Sequence, residues 1–203
     1  MVKAAAKKAT TEAATRRHAL EGRVKKTARV SVEPAGPAHR ISLRAPAESL
    51  GALSRALGLK LPEQPLGSAY AKTGDFADQR GTGKGGRAAL WLGPDEWLVM
   101  DTAGNDPAAD CAKVKALHSA VDISHRQTAI LVSGAGAEDT LSAGCPRDLS
   151  MAAFPVGAAA RTVLGKIEIV LFRTAEDAFR VECWRSFSCY AFTFLAEAAR
   201  DAS

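Results

Sequence analysis

The last 25 residues constrain the fold most. Phe179, Val181 and Cys183 alternate with Arg180 and Glu182, the period-two pattern of a half-buried strand. The period then changes abruptly. Phe187, Tyr190, Ala191, Phe194, Leu195 and Ala198 fall at i, i+3, i+4, i+7, i+8 and i+11, one apolar helical stripe with Ser186 placed to cap it. A strand that runs straight into an amphipathic helix needs a sheet for the one and a core beneath the other.

The same two signals recur upstream without strict alternation. Arg29–Glu33 and His39–Arg44 read as strands separated by the turn-forming Pro34-Ala35-Gly36-Pro37. Pro46 opens a helix through Leu50, Leu53, Ala56 and Leu57, and Gly58 sits where a left-handed terminal residue is expected. Residues 59–87 lack periodicity and read as a long irregular loop. Arg87–Leu92 and Trp97–Asp101 flank Gly93-Pro94-Asp95-Glu96 as a hairpin. A short helix is expected across 108–119, a strand at Arg126–Ser133 and a helix from Ala135 to Ala143 ending at Gly144. Thr162–Phe172 reads as a strand interrupted near Gly165, joined through Thr174–Ala178 to the strand beginning at Phe179. Irregular alternation with two hairpins predicts an α+β fold rather than a doubly wound parallel sheet.

The charge is segregated. The chain carries 27 Lys/Arg and 22 Asp/Glu, but nine of the bases and only two of the acids lie in residues 1–30, leaving 18 bases and 20 acids for the rest. The net charge of +5 therefore belongs to an N-terminal segment, expected as a disordered basic tail over 1–27, with one α+β domain over 28–203. That segment has no aromatic residue, which argues against nucleic-acid binding. It has no apolar core of a secretory signal, and no apolar run in the chain is long enough to span a bilayer, so the expected location is cytoplasmic with no membrane partner.

Three apparent motifs fail on spacing or context. Gly81-Thr82-Gly83-Lys84-Gly85-Gly86 has neither the spacing nor the strand–helix setting of a P-loop. Ser133-Gly134-Ala135-Gly136-Ala137-Glu138-Asp139 follows a strand, but Asp139 stands where a dinucleotide fingerprint needs its third glycine. Asp122-Ile123-Ser124-His125-Arg126 places Ser, His and Asp side by side, where successive side chains on extended chain diverge, so it reads as a hydrogen-bonded strand entrance or a partner contact. Cys111, Cys145, Cys183 and Cys189 form no C-x-x-C pair, and they read as reduced structural thiols, with Cys183 and Cys189 as small buried hydrophobes. The scattered histidines 18, 39, 118 and 125 suggest no metal site.

Six segments in order carry a resemblance: Leu92-Gly93-Pro94-Asp95-Glu96-Trp97-Leu98, Val121–Arg126, Gly144-Cys145-Pro146-Arg147-Asp148-Leu149, Phe154-Pro155-Val156-Gly157, Ala160–Lys166 and Trp184-Arg185-Ser186-Phe187. Together they resemble the gamma subunit of heterotetrameric sarcosine oxidase, well over 88–200 and loosely over 30–87. Arg147 departs from the pattern, standing where an apolar residue is expected. The resemblance implies a fold like the folate-binding domain of the glycine-cleavage T-protein. It also implies three companions: an alpha chain with NAD and a folate-binding region, a beta chain with FAD and FMN, and a small delta chain that binds zinc. The complex demethylates sarcosine oxidatively to glycine and hydrogen peroxide, and tetrahydrofolate captures the one-carbon unit. The resemblance gives this chain no cofactor and no catalytic residue of its own.

Tryptophan and arginine anchor interfaces. Trp97, His125, Arg126, Arg161 and Arg185 are therefore the candidate contacts to a large subunit, with Trp91, Trp97 and Trp184 also eligible for the core. Arg185 is expected on the buried parity of Phe179, Val181 and Cys183, meeting either a partner or Asp148. Two other functions fit the same sequence: the equivalent subunit of an N-methylglutamate dehydrogenase, and a free-standing folate-binding regulatory protein. The latter needs a buried carboxylate facing a pterin, and none is evident in the sequence.

Overall fold

The computed structural model describes residues 19–70 and 86–202. In chain order the strands are β1 (Lys25–Lys26), β2 (Ser31–Pro34), β3 (His39–Arg44), β4 (Ser68–Tyr70), β5 (Arg87–Gly93), β6 (Glu96–Asp101), β7 (Ser119–Asp122), β8 (Gln127–Ser133), β9 (Ala159–Leu164), β10 (Ile167–Ala175) and β11 (Ala178–Trp184). The helices are α1 (Leu50–Leu57), α2 (Pro107–Cys111), α3 (Ala137–Ser142) and α4 (Ser188–Asp201). Two 3-10 turns, Ala47–Ser49 and Arg185–Phe187, lead into α1 and α4.

The strands form two antiparallel sheets, ordered β1-β2-β8-β11-β10-β9 and β4-β5-β6-β3-β7. The two halves repeat one plan. The run β3-α1-β4-β5-β6-α2 is matched by β8-α3-β9-β10-β11-α4, with strand orders β4-β5-β6-β3 and β9-β10-β11-β8. Each half lends its leading strand to the other: β2 precedes β3 but pairs with β8, and β7 precedes β8 but pairs with β3. This exchange makes the two halves one cooperative unit, because neither sheet is complete without chain from the other.

Three apolar layers follow. One cluster packs the six-stranded sheet against α3 and α4 through Ile169, Leu171, Phe179, Val181, Ala191 and Leu195. A second packs the five-stranded sheet against α1 and α2 through Ile41, Leu43, Leu53, Leu57, Trp97 and Cys111. The third lies between the sheets and contains Leu90, Leu98, Met100, Val170 and Phe172. The alternation at 179–184 is therefore not that of a half-buried strand. Arg180 and Glu182 are each 1% exposed, because their face meets the second sheet. Local period-two patterning cannot distinguish water from a second sheet.

Several elements agree with the sequence. His39–Arg44 is β3, the hairpins β5–β6 and β10–β11 form, and Gly58 ends α1 in the left-handed conformation at φ 70°. Others are corrected. Ser68–Tyr70 within the expected loop is a strand paired with β5, while residues 71–85, including most of the Gly-rich run, lie outside the described residues. The helix expected over 108–119 ends at Cys111. Asp106 caps it by accepting from the Ala108 and Ala109 amides, and Ser119–Asp122 becomes the exchanged strand β7. The expected interruption near Gly165 is a reversal that divides β9 from β10.

The final helix is rotated from expectation. Its buried face is Ser188, Ala191, Phe192, Leu195, Ala198 and Ala199. Phe187 and Tyr190 are 42% and 38% exposed, and Ser186 does not cap it. Cys189 is exposed rather than buried, unlike the other three thiols. The expected tail also needs revision. Residues 1–18 lie outside the described residues, but Leu20 is 1% exposed within the main core and β1 pairs with β2, so the segment 19–27 is anchored to the body at Leu20 and at Lys25–Lys26.

Gly134 and Gly136, which imitate a nucleotide fingerprint, have a packing role. Gly134 has φ +108°, and a Cβ there would lie 2.2 Å from the Arg29 carbonyl oxygen. A Cβ on Gly136 would lie 2.8 Å from the Ala202 carbonyl and Val30. Both let the chain entering β2 and the end of α4 close over α3.

Candidate functional site

The segment Asp122–Arg126 is a tight turn that carries the chain from one sheet to the other. The Ser124 amide donates to Asp122 Oδ1 at 2.8 Å, and Ser124 Oγ accepts from the Arg40 amide at 2.8 Å. The Ile123 amide donates to the Arg40 carbonyl at 2.9 Å. Hydrogen bonding from Ser124 holds the Asp122 carboxyl below its usual range. Ser124 is 5% exposed and committed to β3, while His125 and Arg126 project outward. The Ser–His–Asp run is thus a structural turn, as its spacing implies.

Beneath it lies a charged cluster between the sheets. Glu182 accepts from Arg40 Nε at 2.7 Å and Arg40 Nη2 at 3.2 Å, and from Arg180 Nε at 2.6 Å. Arg40 Nη1 also donates to the Ala38 carbonyl at 3.0 Å. Burial pushes the Glu182 carboxyl up, but Arg40 and Arg180 outweigh it and hold the group below its ordinary value. Arg40 was unmarked in the sequence, as were Arg180 and Glu182 beyond their apparent solvent parity. Only the second sheet gives the three their setting.

The five candidate contact residues separate into two groups. Trp97 is 1% exposed, and its Nε1 donates to the Pro62 carbonyl at 2.7 Å, so it is a core residue unavailable to a partner. Arg161 on β9 grips Glu96 at 2.5 Å, and Glu96 also accepts from Arg44 at 3.0 Å. This internal tie joins the two sheets. Hydrogen bonding from Arg161 holds the Glu96 carboxyl low.

His125, Arg126 and Arg185 converge. The Arg185 amide donates to the Arg126 carbonyl at 2.7 Å, joining the turn before β8 to the 3-10 turn after β11. Arg185 follows the end of β11 and is exposed, so it is not on the buried parity. Asp148, offered as its internal partner, instead accepts from the Ser150 amide at 2.9 Å. The Arg126 guanidinium lies 4.8 Å over the Trp184 ring, and Trp184 stacks on Phe187 at 6.0 Å and 19°. Trp184 is 39% exposed. Phe187, on the stripe expected to face the core, lies instead in the 3-10 turn before α4 and is exposed. Arg147, the departure from the family pattern, lies over the Phe154 ring at 5.7 Å.

The described residues contain no cluster of three or more His, Cys, Asp or Glu arranged to hold a metal. Nor do the deeply buried carboxylates suit a pterin. Glu182 is clamped by two guanidiniums. Asp101 accepts through Oδ1 from the Ala103 and Asn105 amides and through Oδ2 from Arg87. Both are satisfied internally, so among the described residues neither carboxylate is free to face a pterin.

Comparison with known proteins agrees with this architecture. Residues 77–201 match the sarcosine oxidase, gamma subunit family (SoxG). The sarcosine oxidase subunit gamma of Arthrobacter sp. is 35% identical over 150 residues, covering 71% of this chain and 67% of that protein. The same subunit of Corynebacterium sp. strain U-96 is 33% identical over 171 residues, covering 81% and 76%. Among solved structures, a chain of the heterotetrameric sarcosine oxidase from Corynebacterium sp. U-96, in complex with pyrrole 2-carboxylate, superimposes with a TM-score of 0.77 at 28% identity over 91% of both chains. The glycine cleavage system aminomethyltransferase T of Bartonella henselae gives a TM-score of 0.58 at 12% identity, over 85% of this chain and 47% of that one, a likeness of fold alone. The exchanged-strand α+β fold and these matches place the chain in the sarcosine oxidase gamma subunit family.

Proposed function

We propose that this chain is a non-catalytic subunit of a cytoplasmic heterotetrameric sarcosine oxidase, and that its work is assembly. The observation that carries the reading is where its polar groups are spent. Ser124, Glu182 and Asp101, three buried groups of kinds that catalysis recruits, are each committed to internal hydrogen bonds. The arginines and aromatics near 126 and 185 face outward.

In this reading the chemistry belongs to companions. An alpha-type chain carries NAD and the folate region, a beta-type chain carries FAD and FMN, and a delta-type chain binds zinc. There sarcosine loses its methyl group, electrons reach oxygen through the flavins to give peroxide, and tetrahydrofolate receives the one-carbon unit. No group of this chain enters those steps.

The test is direct. The chain purified alone is expected to be colourless and to release no peroxide from sarcosine, whereas co-expression with the three companions should yield a flavin-coloured oxidase that retains it. Flavin absorbance or peroxide formation by the isolated chain refutes the non-catalytic role. A complete oxidase that excludes the chain refutes the assembly role.

A further inference from the structure

Helix α4 is apolar on two faces. The face formed by Ser188, Ala191, Phe192, Leu195, Ala198 and Ala199 is spent on the core. Phe187, Tyr190 and Phe194 form a second stripe, about 100° around the helix at 3.6 residues per turn. Trp184, Phe187 and Tyr190 are 39%, 42% and 38% exposed. Rings of this type carry ~150–250 Å² each, so the three leave on the order of 200–300 Å² of exposed aromatic surface. That is a sizeable exposed aromatic area for three neighbouring positions of one segment.

The patch is held in place before any partner arrives. The Trp184 ring meets the Arg126 guanidinium at 4.8 Å and stacks on the Phe187 ring at 6.0 Å. The Arg185 amide donates to the Arg126 carbonyl at 2.7 Å, and Ser188 Oγ donates to the Arg185 carbonyl at 2.8 Å, which fixes the 3-10 turn. Tyr190 packs on Phe194 at 6.2 Å, and its hydroxyl accepts from the Lys166 amide at 3.2 Å. Side chains already ordered lose little entropy on binding, and Trp, Tyr and Arg are the residues that dominate interface energies.

Its charge is mainly basic. Residues 122–127 and 184–190 contain His125, Arg126 and Arg185 against one acid, Asp122, whose Oδ1 accepts from the Ser124 amide, although residues 31–203 as a whole hold 20 acids against 18 bases. The next acid along the helix, Glu197, pairs with Arg200 at 2.8 Å. A surface that is basic at its rim and aromatic at its centre complements one that is acidic at its rim and apolar within.

We infer that the face built by Arg126, Trp184, Arg185 and Phe187, continued by Tyr190 and Phe194, docks this chain onto an acidic, apolar-centred surface of a larger companion subunit. The inference rests on the reading of the chain as a subunit of that assembly. The experiment uses the full chain co-expressed with its three companions, one of them tagged, and measures recovery of the chain and its affinity at two salt concentrations. Arg126→Glu and Phe187→Ser should each weaken association by about tenfold or more, with the melting temperature of the free chain within a few degrees of wild type. Arg126→Ala should reduce the salt dependence of binding. Val121→Lys, on the exposed strand β7 of the other sheet, should change nothing.

Retention of Arg126→Glu at wild-type affinity overturns the inference and leaves the subunit reading intact. So does a wild-type chain that dimerises through Phe187 while the substituted chain still joins the assembly. A wild-type chain that never joins the assembly overturns both. Arg126 is exposed and outside the core, so its substitution decides the matter even if Phe187→Ser fails to fold.

Discussion

Glu182→Gln probes the charged cluster between the sheets. The side chain keeps its shape but loses its charge, and one of its two terminal groups becomes a donor facing guanidinium donors. Arg40 makes two of its three bonds to this carboxylate, at 2.7 and 3.2 Å, and is 3% exposed, so water cannot replace what is lost. Leaving a buried charge without its counter-ion costs about 3–5 kcal/mol. A domain of this kind is stable by roughly 5–15 kcal/mol, and each kcal/mol moves the melting temperature by ~2–4 °C at this size. The expected fall is therefore about 6–20 °C at neutral pH, followed by circular dichroism on the isolated chain. The folded carboxyl is held below its unfolded value of about 4.3. Its contribution is present above that pH and disappears as pH falls through the lowered folded value. The gap between wild type and Glu182→Gln should accordingly narrow on acidification below about pH 4. A loss under about 1 kcal/mol, or a gap that stays constant into acid, would show that the carboxylate is worth no more than an amide there, against the buried-pair argument.

Two further outcomes test the packing. Leu20→Ala should cost about 2–5 kcal/mol by cavity formation, seen as a lower midpoint in urea, because Leu20 is 1% exposed in the main core. An unchanged midpoint would return residues 19–27 to the status of a dispensable tail. Of the four thiols only exposed Cys189 should react rapidly with a disulfide reagent in the native state, since burial pushes Cys111 up to about 11 and Cys183 up to about 12 and encloses Cys145. A second fast thiol would contradict the burial of the element that carries it, α2 for Cys111, the segment after α3 for Cys145 or β11 for Cys183.

The sequence by itself determined the class of fold, most of the element positions and, through six short segments, the family. Hairpins and caps are local: Gly58 ending α1 and the β10–β11 reversal depend on neighbours in the chain, and those neighbours are visible in it. It also named His125, Arg126 and Arg185 as contact candidates; all three are exposed, although Arg185 is expected from its parity to be buried. What the tertiary structure alone decided is which faces meet water. Arg180 and Glu182 look solvated in an alternating strand and are buried, because a second sheet covers them. Phe187 and Tyr190 look like core in a helical stripe and are exposed, because α4 turns the face of Ala191, Phe192, Leu195 and Ala199 to the sheet instead. Ser119–Asp122 and Ser68–Tyr70 lack strand periodicity and are strands, because β3 and β5 offer them unpaired edges. In each case the deciding partner is distant in sequence. Burial is a property of two surfaces, and a linear pattern specifies only one of them.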